Sequence, residues 1–316
     1  LRYKQMEAIF IKKIYKLTEQ IFRGDYEYDT MKTELKRHLN KAQSMNSDAY
    51  EIEVLNTLGI LYSSNEQSAL QEESYTTALQ KAKQIEHTDL ITKLSNNLAS
   101  HYLGTWRIQE ARDTLQVAVD IIEAQEDNSL PVLYVYANFM STLMIAGRFD
   151  DALAYHERAW TVANNVDMGG YSQTEYMQIV TTLRHQKVAL NIARGTTDSV
   201  PDTLRAVMEQ VQISKREDLA GENRLYQLYY ARLVTKDDAE ADTLEASLQD
   251  ESGLLDPATA LECAYFMLHN DSAQWAKHYA QMVITRHAQD TSQVNANMLS
   301  HAEKILAHIA SSEETI

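Results

Sequence analysis

The stretch Leu55-Asn56-Thr57-Leu58-Gly59-Ile60-Leu61-Tyr62 returns in kind as Leu94-Ser95-Asn96-Asn97-Leu98-Ala99-Ser100-His101-Tyr102, and again as Val135-Tyr136-Ala137-Asn138-Phe139-Met140-Ser141-Thr142-Leu143. Leu58, Leu98 and Phe139 mark spacings of 40 and then 41 residues. Each copy has a second half: Tyr75 and Ala78 in the first, Ala111, Leu115 and Ala118 in the second, Gly147, Ala152 and Ala159 in the third. Apolar positions three and four apart that return with a fixed long period mark a helical repeat, each copy being two amphipathic helices. Gly59, Ala99, Ala111 and Ala152 let helix axes approach, and Tyr62, Tyr75, Tyr102 and Leu115 fill the space beside them. One such pair cannot bury its apolar face alone, so the copies must stack.

Outward from this stretch the same period predicts further helices. Residues 6–23 carry Met6, Ile9, Phe10, Ile14, Leu17 and Ile21 at helical spacing and end at Gly24-Asp25. A partner helix follows to about Met45, and residues 1–48 form an N-terminal helical pair with a basic bias. Three clear repeats fill 49–168, with Pro131 in the first turn of its helix. Met168-Gly169-Gly170 is the most flexible link in this half. Residues 169–220 read as an irregular long helix pair, broken at Gly195-Thr196-Thr197-Asp198-Ser199 and reopened at Pro201. Residues 221–310 hold two more repeats, the last opened by Asp256-Pro257 as cap and first-turn proline, and a capping helix over 292–310; 311–316 read as a frayed tail. The expected fold is all-α: a right-handed superhelical solenoid of about seven helix pairs plus a C-terminal capping helix.

Composition fits long helices joined by short turns. The 316 residues include nine glycines and three prolines, both costly inside helices. The lone Cys263 excludes an internal disulfide framework and a cysteine-rich zinc site, and the cytoplasm is the expected compartment. No apolar run is long enough to span a membrane, and no signal peptide opens the chain. The net charge is −16, yet residues 1–41 carry +4 and the remainder −20. An acidic body repels phosphate backbones, so direct nucleic-acid binding by the repeats is not expected. The basic opening reads either as a solvated helix face or as a surface facing an adjoining DNA-binding domain.

Chemistry-bearing motifs are missing: no glycine-rich phosphate loop, nucleophile elbow, zincin helix or calcium loop occurs. His278 and His287 lie nine apart, on different sides of one helix. The acid pairs Glu72-Glu73, Asp150-Asp151 and Asp237-Asp238 stand where helices begin, where the helix dipole favours them. Trp106, Trp160 and Trp275 read as packing between helices. No enzyme, cofactor or metal is expected.

One pattern stands apart from the core. The first helix of successive repeats carries Asn56, then Asn96 and Asn97, then Asn138, at positions outside the apolar face. Asparagine is a mediocre helix former, so its return there needs a reason. One reading has the carboxamides grip the backbone of an extended peptide, with Lys93 and His185 contacting a carboxylate and Tyr134, Tyr226 and Tyr230 supplying walls with polar tips. The other has these residues bond to neighbouring helices or face water. On the first reading, Asn97→Ala and Asn138→Ala leave melting nearly unchanged and weaken ligand binding.

Gly147-Arg148-Phe149-Asp150-Asp151-Ala152-Leu153 resembles the turn and second-helix start of the tetratricopeptide repeat, although Gln71 stands where that family has alanine and His156 where it has a bulky apolar residue. The long period with asparagines on the inner helices also resembles, over roughly Val54 to Ala193, the sensor domains of Gram-positive peptide-pheromone regulators of the Rap, Npr, PlcR and Rgg type. That resemblance implies a quorum-sensing protein that holds a short peptide, with Asn56, Asn97 and Asn138 on the peptide backbone. Many members carry a helix-turn-helix domain before the repeats, and the basic first helix would then be a linker next to a DNA-binding domain removed from this chain, which opens on Leu1. The carboxylate clamp of chaperone-binding tetratricopeptide domains is a poorer match, with only Asn97 and Lys93 in place. The expected function is a peptide-responsive sensor domain of a bacterial regulator. The alternative is a general protein-protein interaction scaffold in a larger signalling protein, which an upstream ATPase domain would favour. Homodimerisation through the terminal repeats, with Trp275 and the helix from Val294 to Ala310, is a further expectation.

Overall fold

The computed structural model describes residues 2–166, 168, 170–214 and 217–313. Gly169 of the flexible link and Glu314 to Ile316 of the tail lie outside the described residues. Among the described residues there are fifteen α-helices: α1 (Arg2–Arg23), α2 (Tyr28–Ser44), α3 (Asp48–Ser63), α4 (Ser68–Gln84), α5 (Thr88–Gly104), α6 (Ile108–Gln125), α7 (Leu130–Ile145), α8 (Phe149–Asn165), α9 (Gln173–Ala193), α10 (Val200–Ser214), α11 (Glu217–Tyr230), α12 (Asp238–Leu248), α13 (Pro257–His269), α14 (Ala273–Gln289) and α15 (Ala296–Glu313). Seven successive pairs and a last helix is the order the period predicts. The last helix starts at Ala296 rather than 292 and runs through Glu313, three residues into the stretch read as a tail. None of the helices is long and apolar enough to cross a membrane.

The helices fall into two compact units, Leu1–Tyr102 with Asp113–Glu126, and Leu103–Arg112 with Asp127–Ile316. In the first unit α1 packs on α3. Ile14, Leu17 and Ile21 of α1 share a core with Leu35 of α2 and with Tyr50, Val54, Leu58 and Leu61 of α3. Inside that core His38 and Tyr50 hydrogen-bond through Nδ1 and the phenol oxygen. Phe10 stacks on Tyr50 at 5.4 Å. Burial lowers the pKa of His38, helped by Lys13 and Arg37, so the ring stays neutral where the phenol needs a neutral partner.

The scarcity of glycine has a local explanation. The residues that close α2, α4 and α6 in left-handed conformation are Asn46, Glu86 and Glu126, with Glu66 and Trp106 doing so after α3 and α5. Such positions usually take glycine, so these turns carry a modest strain that helix packing offsets.

The second unit closes on itself. Its core runs from Trp106 and Val188 through Tyr229 and Ala264 to Ile309. Trp106 stacks on Tyr265 of α13 at 6.0 Å, and His301 Nε2 of α15 lies 3.2 Å from the Trp106 carbonyl oxygen. Between α11 and α12 the chain widens into a π-helical turn, Ala231–Thr235, which the sequence pattern did not reveal. Arg232 of that turn is buried, with Asp242 at 2.7 Å, Asp238 and Glu245 each at 3.2 Å, and the Trp275 ring centre 3.6 Å from its guanidinium carbon. Trp275 is thereby a packing residue, as its type suggested.

Close helix approach is tested at Gly59. A Cβ there would stand 2.4 Å from a ring carbon of Tyr75, itself only 4% exposed. Alanine favours a helix by about 1 kcal/mol over glycine, but overpacking of a fixed ring outweighs that gain. Gly59→Ala is therefore expected to lower stability by about 1–3 kcal/mol in chemical denaturation, whereas a more stable variant would show that α3 and α4 do not approach as described.

Candidate functional site

In the first unit the polar line is real but internally committed. Asn97 Nδ2 on α5 donates to Asn56 Oδ1 on α3 at 2.8 Å, and Asn56 is buried. Asn56 was read as lying outside the core, and the correction follows from this contact: a carboxamide can sit in a packed interface when another carboxamide satisfies it. Lys93, one turn before Asn97, places Nζ 2.8 Å from Glu53 Oε2. Glu53 also accepts from the Tyr15 hydroxyl at 3.0 Å, and Thr18 and Thr57 hydroxyls meet at 2.8 Å. Desolvation by burial raises the Tyr15 pKa, and Glu53 raises it further. Lys93 thus neutralises a buried acid of its own chain, and a ligand carboxylate would have to compete with that ion pair. Asn96 is half-buried beside it.

The second unit brings other residues together. Tyr134, Asn138, Ser141 and Ile145 follow one face of α7 at spacings of three and four. The Tyr134 hydroxyl donates to the Glu175 carbonyl oxygen at 3.3 Å, and Asn138 is half-buried. Further along that face Ser141 and Ile145 line a cleft of about 50 Å³ with Gln186 of α9, Tyr226 and Tyr229 of α11, and Glu262 and Tyr265 of α13. Four first helices of successive pairs therefore meet at one place. What holds them there is the closure of the unit: His269 Nε2 at the end of α13 donates to the Ile145 carbonyl oxygen at 2.9 Å, across 124 residues of sequence.

Two groups give the cleft its character. Gln186 ties α9 to α7, its Nε2 donating to the Ala137 carbonyl oxygen at 2.9 Å and to Ser141 Oγ at 3.1 Å. Its Oε1 is buried without a hydrogen-bond partner among the described residues, an unsatisfied acceptor of the kind folded proteins avoid. Glu262 is exposed on α13, with protein packed densely on its flanks. Crowding by protein pushes its carboxyl up to about 7, with Glu222 and Asp256 adding repulsion, while the water that reaches it moderates the size of that change but not its sign. A carboxylate and an open amide oxygen ask for hydrogen-bond donors, and best for a cation.

His185 does not offer a surface contact. It is fully buried, with Nε2 2.9 Å from Asn223 Oδ1 and its ring stacked on Tyr226 at 5.0 Å. Glu222 Oε2 lies 3.2 Å from Nδ1, near enough for charge but off the direction of a hydrogen bond. Its role is to hold Tyr226 in place. Tyr230, one turn beyond Tyr226, is half-buried against the core.

No family model matches the chain, and no curated protein matches it. Among solved structures it is similar to a Rap protein complexed with competence and sporulation factor, at 13% identity and a TM-score of 0.51, over 97% of this chain and 99% of that one. The chain shares that protein's helical-repeat fold. At such identity the likeness reaches the fold and stops there, so each site residue stands on its own geometry.

Gln186, Glu222 and Glu262 were not singled out in the sequence. Glu262 left a readable trace, being the one acid in the apolar helix Pro257–His269. Gln186 left none, because only the closure of the unit shows what its oxygen faces. Among the described residues no group of three His, Cys, Asp or Glu side chains is placed to hold a metal.

Two outcomes follow from this geometry. Removing the Asn97 carboxamide strands the buried Asn56 oxygen, so Asn97→Ala is now expected to destabilise by about 1–3 kcal/mol in urea, in place of the unchanged melting its sequence position suggested. Equal stability would show the pair to be solvated. Glu262 has a folded pKa above its unfolded value, so its contribution is fully present below the unfolded pKa and is lost as pH rises through the folded one. Glu262→Gln should accordingly raise the melting temperature more at about pH 8 than at about pH 5. An equal change at both values would place the carboxyl in open water.

Proposed function

We infer that this chain is a non-catalytic, peptide-responsive binding domain of a bacterial transcriptional or signalling regulator, and that it takes an extended peptide along the first helices of its second unit. The observation that carries the reading is the cleft where α7, α9, α11 and α13 bring Ser141, Gln186, Tyr226 and Glu262 together. The Tyr134–Asn138–Ser141 face of α7 and the Glu222–Tyr226–Tyr230 face of α11 extend polar contacts away from it. A peptide backbone supplies donors and acceptors at regular spacing, and this mixture of amide, hydroxyl and carboxylate suits it. With Glu222 and Glu262 close to one another, a peptide bearing lysine, arginine or a free N-terminal ammonium is preferred to an acidic one. The solved Rap protein, which carries competence and sporulation factor, supports a binding role for this fold without assigning its residues.

The reading is tested by thermal shift of the purified chain against pooled linear penta- to decapeptides of both charge signs. A ligand that binds only the folded state must raise the melting temperature. A saturable rise with basic peptides is expected, with affinity weakened roughly tenfold by Glu262→Gln and similarly by Asn138→Ala. Preference for acidic peptides, indifference to both substitutions, or no shift with any peptide would overturn it and leave the scaffold alternative.

A further inference from the structure

A second and larger cavity lies elsewhere in the second unit. Helices α8 and α10 both pack on α9, and between them is a pocket of about 640 Å³. One wall is Trp160, whose ring stacks on buried His156 at 5.9 Å and 13°. His156 fills the place where the repeat pattern takes a bulky apolar residue, and its Nε2 donates to the Leu183 carbonyl oxygen at 3.0 Å. The imidazole is thereby fixed, and the half-buried indole on it is a rigid flat surface. Arg184 and Lys187, one turn apart on α9, line the opposite side.

The charges in this pocket are unequal in placement. Arg184 and Lys187 are half-buried, and neither has a carboxylate partner among the described residues. Arg184 is held by Gln210 Oε1 at 2.8 Å, which orients the guanidinium without neutralising it. Lys187 has no carboxylate in ion-pair reach among the described residues, and it helps burial to keep the His156 pKa low. The acids at the pocket, Glu157 and Asp202, are exposed, and Asp202 is already paired with Arg205 at 3.0 Å. Exposed charges are screened by water and salt far more than half-buried ones. Two unpaired cations inside a chain of net charge −16, where acids are plentiful, are conspicuous. Their aliphatic stems add apolar surface beside the indole.

We propose that the α8–α9–α10 pocket is a binding site for a small aromatic carboxylate, its flat ring lying on Trp160 and its carboxylate between Lys187 and Arg184. The volume suits a ligand of drug-like size, and apolar walls with a few convergent polar groups are the usual build of such sites. Arginine offers a planar fork and lysine a point charge, so together they fix both the orientation and the sign of the ligand. The site is separate from the cleft of Glu262 and stands whether or not that cleft takes a peptide.

The test is calorimetric titration of the full chain with 2-naphthoate and, as its uncharged counterpart, 2-naphthamide. Saturable binding of naphthoate is expected, with naphthamide weaker by about tenfold or more. Lys187→Gln should weaken naphthoate by about tenfold, Lys187→Arg should restore most of the loss, and Trp160→Leu should weaken both probes. Among the described residues Lys187 makes no side-chain hydrogen bond or ion pair, so its variants should keep the parent's helicity and melting, which circular dichroism checks. No saturable binding, equal affinity for acid and amide, or affinity indifferent to Lys187→Gln and Trp160→Leu would overturn the proposal.

Discussion

The cleft of the second unit depends on long-range closure, and the contact nearest to it is made by His269. His269 at the end of α13 reaches the α7–α8 corner, donating to the Ile145 carbonyl oxygen while its ring covers Gly147. Gly147 has a φ of +71°, and a Cβ there would stand 2.8 Å from the imidazole, so the corner can be tight only with glycine. Phe149 meets the same imidazole edge-on at 6.1 Å. This small contact brings the first helices of four successive pairs to one place. Together with the apolar core beneath, it keeps Ser141 and Glu262 on the same cleft although their helices are distant in sequence.

A second organising principle is the handling of charge. The chain is acidic, and the second unit uses its cations in two ways. Arg232 is buried among Asp238, Asp242 and Glu245 under the Trp275 ring, a full neutralisation that pins the π-helical turn to α12 and α14. Tyr279 and His278 donate to the same Glu245, at 2.8 and 2.9 Å. Removing one member of such a cluster strands the others, which makes it a structural lock. Among the described residues Arg184 and Lys187 have no carboxylate partner, and Glu262 lies among other acids, Glu222 and Asp256. The contrast matters because unpaired, partly desolvated charge is unfavourable in the empty protein and favourable once a ligand of opposite sign arrives.

Most of the fold was legible because it rests on local periodicity. The spacing of Leu58, Leu98 and Phe139 set the helix order, and the start of α8 at Phe149 agrees with the turn read from Gly147 to Leu153. What was hidden depends on contacts distant in sequence. Nothing in the order of residues near Ala231 announces a π-helical turn, and the acids that hold its Arg232 lie up to 13 positions later. His185 looked like a polar contact and is buried, because Asn223, 38 residues on, supplies its partner. His156 looked like a departure from the repeat and proves compatible with the core, because the Leu183 carbonyl oxygen satisfies it. In each case a polar side chain at a core position was ambiguous until its partner was known.

The repeated asparagines show the same ambiguity resolved in two directions. In the first unit Asn56 and Asn97 satisfy each other, and Tyr15 and Thr18 of α1 lie on the neighbouring Glu53 and Thr57. That unit's own first helix therefore occupies the polar surface beside Asn56, and the carboxamide pair acts as a register contact between α3 and α5. In the second unit Asn138 shares its face of α7 with Ser141, which borders an acceptor that no described residue satisfies. A buried polar atom left open is disfavoured in folding, whereas a satisfied pair is not. Of the two stretches of one sequence pattern, the second is the better place to look for a ligand, since there the polar face runs into a cleft lined by four helices.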